Sequence, residues 1–353
     1  MTDKIKVAIL GATGMIGQRF VQLLEDHPYF EFGGFYASER SEGKTLGEVL
    51  KIRDHRFKEE TLEMKIELLE TERVAASSRV AFSGLPSDTA KDIESELART
   101  GLAVFSNAGA HRMSPDVPLL IPEVNAEHIE AVKGQTSFDN GGFIVTNANC
   151  STTGIALPLK ALHEAYGLDL VTVSTYQALS GAGYPGVPSM DILGNVIPYI
   201  GGEEEKMETE IKKMLGKWNG GFEFADFSMF ANCARVPVLD GHLESMVLKF
   251  RETPDSDELI RTLESFRGLP GEFRLPTAPI HPLIVRKERD RPQPALDAFA
   301  GDPERARGMA VTVGRVRRSG DYFKMFCLSH NTLRGGAGGS VLNAELAKVK
   351  GLI

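Results

Sequence analysis

Cys150 is the residue whose surroundings point most directly to chemistry. It lies in NANCSTTG (147–154), after a strand-like run at 142–147 and before a segment with apolar residues at helical spacing. At the start of a helix, backbone N–H groups and the helix dipole stabilise an anion such as a thiolate. We therefore expect a reactive thiol, with the Ser-Thr-Thr run at 151–153 suited to capping the helix. The alternative is a buried cysteine that serves as a small hydrophobic residue.

A second motif with chemical meaning is the glycine-rich turn GATGMIGQ at 11–18. It follows a short apolar run at 4–10 and precedes helical spacing in RFVQLLEDH. A strand, a glycine-rich turn and a helix in this order are typical of dinucleotide binding, although an ordinary βαβ turn can also be rich in glycine. We expect the helix to pack close to the strand at Gly17. The residues expected to contact the cofactor are Gly11, Ala12, Thr13, Gly14, Met15 and Ile16.

The end of the second strand-like run, 31–38, bears on which dinucleotide binds. An NAD site usually has an acidic residue there to hold the ribose 2′-OH. Here Ser38, Arg40 and Ser41 offer hydroxyls and a guanidinium, which suit the extra phosphate of NADP. Glu39 is evidence for NAD, and the loop could also be an ordinary solvated one. We expect NADP, with NAD as the less favoured cofactor.

Composition narrows the class of protein. A chain of 353 residues suggests about two domains. Its net charge of −8 argues against a nucleic-acid binder, and no apolar run approaches the ~20 residues of a membrane span. Three cysteines show no metal-ligand spacing and imply no disulfide framework. From the cysteine spacing we expect no metal site. Because the N-terminus has no cleavable signal pattern and no disulfides are implied, we expect a cytoplasmic protein.

Two further strand-like runs complete a parallel sheet in the first half. They lie at 80–88 and 102–109, with a helical segment between them. The carboxyl ends of such strands line the cofactor cleft of a doubly wound sheet. Ser83, Gly84 and Asn107 are therefore expected beside the cofactor.

The second half alternates strands with long loops. Because strands outnumber helices there, we expect a mixed, largely antiparallel sheet. Gln177 lies on its first strand, and Arg235 and His242 lie on a turn between two later strands. The elements expected are a strand at 170–183, an ordered loop at 183–202, a helix at 203–216, two strands within 222–250, a helix at 255–268, a hairpin within 304–333 and a helix at 340–351.

Taken together, the chain is expected to be an α/β protein of two domains. A Rossmann-like parallel-sheet domain would comprise 1–149 and be completed by the C-terminal helix in 334–353. An α+β catalytic and dimerisation domain would comprise 150–333. Within the first, 45–75 reads as a peripheral excursion, and Arg112 lies in a Pro-rich connection.

The motifs in order match one family. These motifs are GATGMIGQ, NANCSTTG, TYQALSGAGYPGVPSMD (175–191), EEEKMETE (203–210) and CARVPVLDGH (233–242). On their order and spacing, the chain resembles aspartate-β-semialdehyde dehydrogenase over essentially its whole length, and its motif sequences are similar to those of the archaeal and fungal branch.

The resemblance implies roles for individual residues. Cys150 would be the nucleophile that forms a thioester, His242 the acid/base that takes the thiol proton, and Gln177 the residue that orients the acyl group. Arg235 would bind the substrate α-carboxylate, and Glu203 its amino group. Lys206, Arg112 and Asn149 would bind the phosphate, and Ser180, Gly181 and Asn331 would join the cofactor site. These charges suit a zwitterionic acyl phosphate.

The activity implied is the reversible, NADP-dependent reduction of L-aspartyl-4-phosphate to L-aspartate 4-semialdehyde through a cysteine thioester. It would belong to the aspartate pathway to lysine, threonine, methionine and isoleucine. One alternative is a malonyl-CoA reductase on the same scaffold, and another is a non-catalytic NADP-binding paralogue. We expect a homodimer or homotetramer joined through the second sheet.

Overall fold

The computed structural model describes residues 4–353, which form two compact units. One comprises the described residues up to Leu120 together with Glu127–Asn147 and Gly336–Ile353. The other comprises Ile121–Ala126 and Ala148–Gly335. Each unit has its own six-stranded sheet. Among residues 4–353, every helix is too short or too polar to cross a membrane.

The first unit is a doubly wound parallel sheet with strand order β3-β2-β1-β4-β5-β6. Helices α1 (Met15–Leu24) and α13 (Gly338–Val349) contact each other, as do α4 (Thr71–Ser77) and α5 (Ser87–Arg99). In chain order, the elements as far as β6 are β1 (Ile5–Leu10), α1 (Met15–Leu24), β2 (Phe30–Ala37), α2 (Leu46–Val49), α3 (Glu59–Glu63), β3 (Ile66–Leu68), α4 (Thr71–Ser77), β4 (Val80–Ser83), α5 (Ser87–Arg99), β5 (Ala103–Ser106), α6 (Pro122–Asn125) and β6 (Phe143–Thr146). Of these, α6 belongs to the second unit, and the C-terminal helix α13 (Gly338–Val349) belongs to the first.

The turn after β1 explains two of its glycines. Gly11 has φ +74°, a left-handed conformation that glycine adopts without strain. A Cβ at Gly17 would lie 2.1 Å from the Gly11 carbonyl oxygen, so only glycine lets α1 approach the strand this closely. Across the sheet, the buried rings of Phe82, Phe105 and Phe143 lie 5.8 and 6.1 Å apart and form part of the core.

The segment 45–75 is more than the peripheral excursion that the sequence suggested. Its strand β3 extends the parallel sheet by pairing with β2, with Phe35 opposite Ile66. A three-residue strand is too short for its alternation to stand out in the sequence.

The second unit has the strand order β10-β7-β11-β14-β13-β12. Three of its strand pairs are antiparallel and two are parallel, so the predicted mixed, largely antiparallel sheet and the α/β fold class are confirmed. Its remaining elements are α7 (Cys150–Tyr166), β7 (Leu168–Gln177), α8 (Ser189–Ile192), α9 (Glu203–Leu215), β8 (Lys217–Trp218), β9 (Phe222–Glu223), β10 (Ser228–Arg235), β11 (His242–Phe250), α10 (Ser256–Ser265), α11 (Leu269–Phe273), β12 (Leu283–Arg286), α12 (Pro294–Asp297), β13 (Val311–Ser319) and β14 (Tyr322–Ser329).

The segment 222–250 contains the two expected long strands, β10 and β11, but Arg235 and His242 lie at strand ends and not in the turn between them. β10 and β11 are not neighbours, because β7 lies between them, parallel to β10 and antiparallel to β11. Arg235 therefore ends one strand and His242 begins another, two strand positions away.

One face of this second sheet is packed by helices. Alternate residues of β11 are buried, and α7 contacts β7, β11, β13 and β14. On the opposite face the alternating residues of β11 are half-buried, whereas Tyr176 on β7 and Phe230 on β10 are 40% and 56% exposed. An antiparallel sheet with one packed face and one apolar exposed face is suited to binding another sheet.

Candidate active site

Cys150 is the first residue of α7, as the sequence predicted. The cap of this helix is Asn149, whose Oδ1 accepts hydrogen bonds from the N–H groups of Ser151 at 3.0 Å and Thr152 at 3.1 Å. The expectation that the Ser-Thr-Thr run caps the helix is therefore wrong: a cap residue precedes the first helical residue, and 151–153 are already inside the helix. The thiol thus lies at the positive end of a 17-residue helix, where a thiolate is stabilised.

His242 is the hydrogen-bond partner of that thiol. Its Nε2 lies 3.3 Å from Cys150 Sγ, and its Nδ1 accepts the backbone N–H of Ala178 at 3.0 Å. Because Nδ1 is an acceptor, a neutral ring carries its proton on Nε2, facing the sulfur. Burial lowers the pKa of His242 well below its usual value, and the charges of Arg235 and His330 lower it further. Near neutral pH the ring is therefore neutral and points an N–H at Sγ.

Arg235 and Gln177 reach the site together because their strands end together. They are register partners at the last positions of β10 and β7. Arg235 Nη1 donates to the Ala178 carbonyl at 2.7 Å, and burial lowers its pKa. A Cβ at Gly181 would lie 3.0 Å from Arg235 Nη1 and 2.9 Å from His242 Cε1. The space in front of both side chains therefore depends on this glycine.

The carboxylate of Glu203, at the start of α9, is already paired within the site. Asn149 Nδ2 donates to its Oε1, and Lys206 Nζ lies 3.7 Å from its Oε2. The Asn149 backbone N–H donates to Glu210 at 2.7 Å. The helix α9 is thereby fixed against the cap of α7. Sequence reasoning did not single out Glu210, which is buried on the polar-looking EEEKMETE run.

Gly335 is a second residue of the site that sequence reasoning missed. A Cβ there would lie 2.9 Å from Cα, Cβ and the carbonyl oxygen of Cys150. The neighbouring Arg334 forms two hydrogen bonds to the Glu123 carboxylate, at 2.7 and 2.8 Å, and both side chains are 1% exposed. This buried fork holds the segment that passes behind the nucleophile. The only signal in the sequence is the glycine-rich run after residue 334.

The residues predicted for the cofactor are distributed over both units. In the second unit, Asn331 Nδ2 donates to Ser180 Oγ at 2.8 Å, and Asn331 Oδ1 accepts the Gly241 N–H at 2.9 Å. In the first unit, a cavity of about 720 Å³ is lined by six residues predicted for the cofactor, namely Gly11, Thr13, Gly14, Ser38, Arg40 and Gly84. Glu39, the residue that favoured NAD, also lines it, as do Ala37, Leu68, Leu69, Leu85, Pro86 and Thr89. The other predicted residues adjoin the lining in the chain: Ala12 is in the turn, Met15 and Ile16 begin α1, Ser41 ends a short 3-10 helix and Ser83 ends β4.

This cavity fits a dinucleotide. Gly14 caps α1 without a side-chain hydrogen bond, and the first turn of this helix carries no acidic residue among those described. Free N–H groups at a helix N-terminus are suited to a pyrophosphate. Arg112, predicted to bind phosphate, lies in the same unit and donates from Nη2 to the Asn107 carbonyl at 2.8 Å.

Comparison with known proteins supports the resemblance. The semialdehyde dehydrogenase NAD binding domain matches residues 6–132, and the semialdehyde dehydrogenase dimerisation domain matches residues 159–334. The aspartate-semialdehyde dehydrogenase of Archaeoglobus fulgidus is 47% identical over 97% of this chain and 98% of its own. The chain belongs to the aspartate-semialdehyde dehydrogenase family. The enzyme of that name from Schizosaccharomyces pombe is 41% identical over 99% of both chains.

Solved structures of the family agree with the fold. The aspartate semialdehyde dehydrogenase of Candida albicans, solved with NADP, has a TM-score of 0.89 and 40% identity over 99% of this chain and all of that one. Aspartate semialdehyde dehydrogenase II of Vibrio cholerae, complexed with ASA, has a TM-score of 0.79 and 25% identity over the same shares. The prediction of the family from five short motifs is confirmed.

Proposed function

We propose that the chain catalyses the reversible, NADP-dependent reduction of L-aspartyl-4-phosphate to L-aspartate 4-semialdehyde and phosphate, in the aspartate pathway to lysine, threonine, methionine and isoleucine. The observation that carries this proposal is the pair Cys150–His242, with Sγ and Nε2 3.3 Å apart at the positive end of α7. Arg235, Glu203 and Lys206 lie in the same unit and supply the charges that a zwitterionic acyl phosphate requires.

In this proposal the sulfur of Cys150 remains bonded to the substrate carbon through most of the reaction. The thiolate attacks the acyl carbon, and the carbon–oxygen bond to phosphate breaks to leave a thioester. NADPH, when bound, supplies the hydride that reduces this thioester. The carbon–sulfur bond then breaks, which releases the aldehyde and regenerates the thiolate. The N–H groups of Ser151 and Thr152 are occupied by the Asn149 cap, so the positive end of the α7 dipole, rather than these donors, stabilises the oxyanion that forms in each step.

The hydrogen bond from Ala178 refines the role of His242. The family resemblance implied a base that takes the thiol proton. A neutral ring whose Nδ1 accepts the Ala178 N–H already carries its proton on Nε2. Nε2 therefore has no lone pair with which to take the thiol proton, and a proton on Nδ1 would create a buried cation. We propose that the thiol proton is lost to solvent before the substrate binds, and that His242 then donates a hydrogen bond from Nε2–H, first to the thiolate and then to the developing oxyanion.

The remaining substrate contacts are proposed from charge and position. Arg235 binds the α-carboxylate, Gln177 orients the acyl group and Glu203 accepts the ammonium. Lys206 binds the phosphate, and its 3.7 Å distance to Glu203 leaves it able to turn towards an anion. Asn149 and Arg112 join the phosphate set. The Asn149 amide is also the helix cap, which fixes its orientation.

We propose NADP as the cofactor and a homodimer as the smallest assembly. The NADP-bound relative from Candida albicans and the cavity lined by Ser38 and Arg40 support the first. The match to a dimerisation domain and the exposed Tyr176 and Phe230 support a dimer, or a tetramer built from dimers, joined through the second sheet. Three free cysteines suit a reducing, cytoplasmic setting.

A phosphate- or arsenate-dependent assay of semialdehyde oxidation with NADP and NAD tests the proposal. Cys150→Ser should abolish turnover and retain NADP binding. The matched control is Cys233→Ala, because Cys233 is buried against Met207 and burial raises the pKa of its thiol to about 11. Appreciable activity in Cys150→Ser would contradict the nucleophile assignment.

Two outcomes would favour the alternatives. Activity with malonyl-CoA and none with semialdehyde plus phosphate would identify a malonyl-CoA reductase, whose substrate has no ammonium for Glu203. A chain that binds NADP but whose Cys150 reacts with iodoacetamide no faster than Cys327 would be a non-catalytic paralogue.

A further inference from the structure

Glu94 is a buried carboxyl group in the first unit that the proposed chemistry does not use. It lies on α5 and is fully buried. Ser106, the last residue of β5, donates its hydroxyl to Glu94 Oε1 at 2.7 Å. The same hydroxyl oxygen accepts the N–H of Ala108 at 3.0 Å. The carboxyl group is thereby tied to the turn that leaves the carboxyl end of β5.

The far end of that turn approaches the other oxygen of the same carboxyl group. His111 Nε2 lies 3.8 Å from Glu94 Oε2. Arg112 follows, and its Nη2 donates back to the Asn107 carbonyl at 2.8 Å. The turn from Ser106 to Arg112 is thus folded around Glu94. Arg112 is close enough for its charge to act on this carboxyl group.

The environment of Glu94 places the pKa of its carboxyl group close to physiological pH. Burial raises its pKa to about 7, while the nearby hydroxyl of Ser83, the hydrogen bond from Ser106 and the charge of Arg112 act in the opposite direction. Burial lowers the pKa of His111, so this ring is neutral when Glu94 titrates.

The other elements packed on α5 add little charge towards Glu94. Residues 143–146 of β6 carry no ionisable side chain. Contact with α4 includes the exposed bond from Thr71 to Glu96 at 2.9 Å. The charge of Lys91 lowers the pKa of His111 and the charge of Asp116 raises it. Arg112 is therefore the principal charge that faces the carboxyl group.

We propose that Glu94 is a positioning residue that couples proton uptake to the binding of a phosphate-class anion at Arg112. This inference rests on the proposed function, in which Arg112 contacts the phosphate. An ionised Glu94 attracts the guanidinium and lowers the positive potential offered to an anion. A neutral Glu94 does not lower this potential, so Arg112 attracts an anion more strongly. By thermodynamic reciprocity, an anion at Arg112 favours the protonated carboxyl group.

Calorimetric titration of the full chain with inorganic phosphate tests this coupling. Wild type, Glu94→Gln and the matched control Glu96→Gln, an exposed site on the same helix, are compared between about pH 6 and pH 8.5. The ionisation of phosphate itself is common to all three. Between these limits the affinity of wild type should fall, relative to Glu94→Gln, on the order of threefold to tenfold for one partly screened charge. Titrations in two buffers of different ionisation enthalpy should show extra proton uptake in wild type near pH 7.

Glu96→Gln should behave as wild type. Parallel curves for wild type and Glu94→Gln, or phosphate binding absent in wild type at millimolar concentration, would overturn the coupling. If Glu94→Gln does not fold, Glu94→Asp keeps a titratable group and should retain a pH dependence with a shifted midpoint. A flat profile in Glu94→Asp would also overturn it. Because the calorimetry needs no turnover, a wild-type chain that binds phosphate but fails to oxidise semialdehyde would refute only the proposed function.

Discussion

Replacing Gly335 with alanine tests how closely the backbone behind the nucleophile determines its position. The added Cβ would lie 2.9 Å from three atoms of Cys150, including Cα and the carbonyl oxygen. Non-bonded carbon atoms pack at about 3.5–4.0 Å, so one of the two segments must move by roughly 0.6–1 Å. Neither can yield by a side-chain rotation, because the contacts involve backbone and the first atom of the thiol side chain.

The expected loss of activity follows from that displacement. Misplacing a reacting group by about 1 Å lowers a rate on the order of 100-fold, which corresponds to about 2.7 kcal/mol in the barrier. Overpacking should lower the free energy of unfolding by about 1–3 kcal/mol, which leaves the protein folded at room temperature if its stability is ordinary. We therefore expect a folded variant with a kcat that is greatly reduced and an unchanged affinity for NADP.

The assay combines kcat for phosphate-dependent semialdehyde oxidation, the rate of Cys150 alkylation by iodoacetamide and thermal unfolding. Gly221→Ala is the matched control, because a Cβ at this exposed glycine would meet nothing within 4 Å. A Gly335→Ala variant with wild-type kcat and wild-type alkylation rate would refute the view that this contact sets the position of the thiol.

Three further predictions concern stability, cofactor choice and pH. Arg334→Met leaves the Glu123 carboxylate buried without its fork and should lower the free energy of unfolding in denaturant by about 3–5 kcal/mol; recovery of most of that loss in Arg334→Met/Glu123→Leu would show that the unpaired charge is the cause. Arg40→Ala should reduce the ratio of kcat/KM for NADP over NAD by about 10-fold or more, the value of a charge-assisted hydrogen bond, and an unchanged ratio would exclude Arg40 from the 2′-phosphate site. Burial raises the pKa of Glu94 from 4.5 to about 7, so its contribution to the free energy of unfolding is fully present below about pH 4.5 and is lost as the pH rises through 7. Between these limits the free energy of unfolding of wild type should fall by up to roughly 3 kcal/mol relative to that of Glu94→Gln. Parallel profiles of unfolding free energy against pH for the two proteins would contradict the titration of this buried group.

Local features of the sequence were sufficient to predict where the Cys150 motif and the glycine-rich turn lie in the fold. A strand that ends before NANCSTTG and a helix that follows it placed Cys150 at a helix start, and the structure agrees. The turn at 11–18 was recognisable for the same reason. Gly11 is required by a positive φ and Gly17 by a close backbone approach, and both constraints arise within a single turn of the chain.

The details of capping and the shortest strand were decided by contacts beyond the pattern. Asn149 rather than the Ser-Thr-Thr run caps α7, because both its amide and its backbone are held by carboxylates of α9. β3 exists because an edge of the parallel sheet is available to three residues that have weak strand character alone. Propensity is a weak prior where tertiary hydrogen bonds compete with it.

The sequence by itself determined the types of the reactive groups and the local geometry around each. It also identified the family, because five motifs in a fixed order are rarely matched by chance. Only the tertiary structure decided which groups meet and in which protonation state. The thiol and imidazole are 92 residues apart, and their 3.3 Å contact depends on β11 lying beside β7, where Ala178 fixes the tautomer of His242. Burial, a property of the whole fold, then sets the neutral state of that ring and the near-neutral pKa of Glu94, since neither desolvation nor a distant charge is visible in a run of residues.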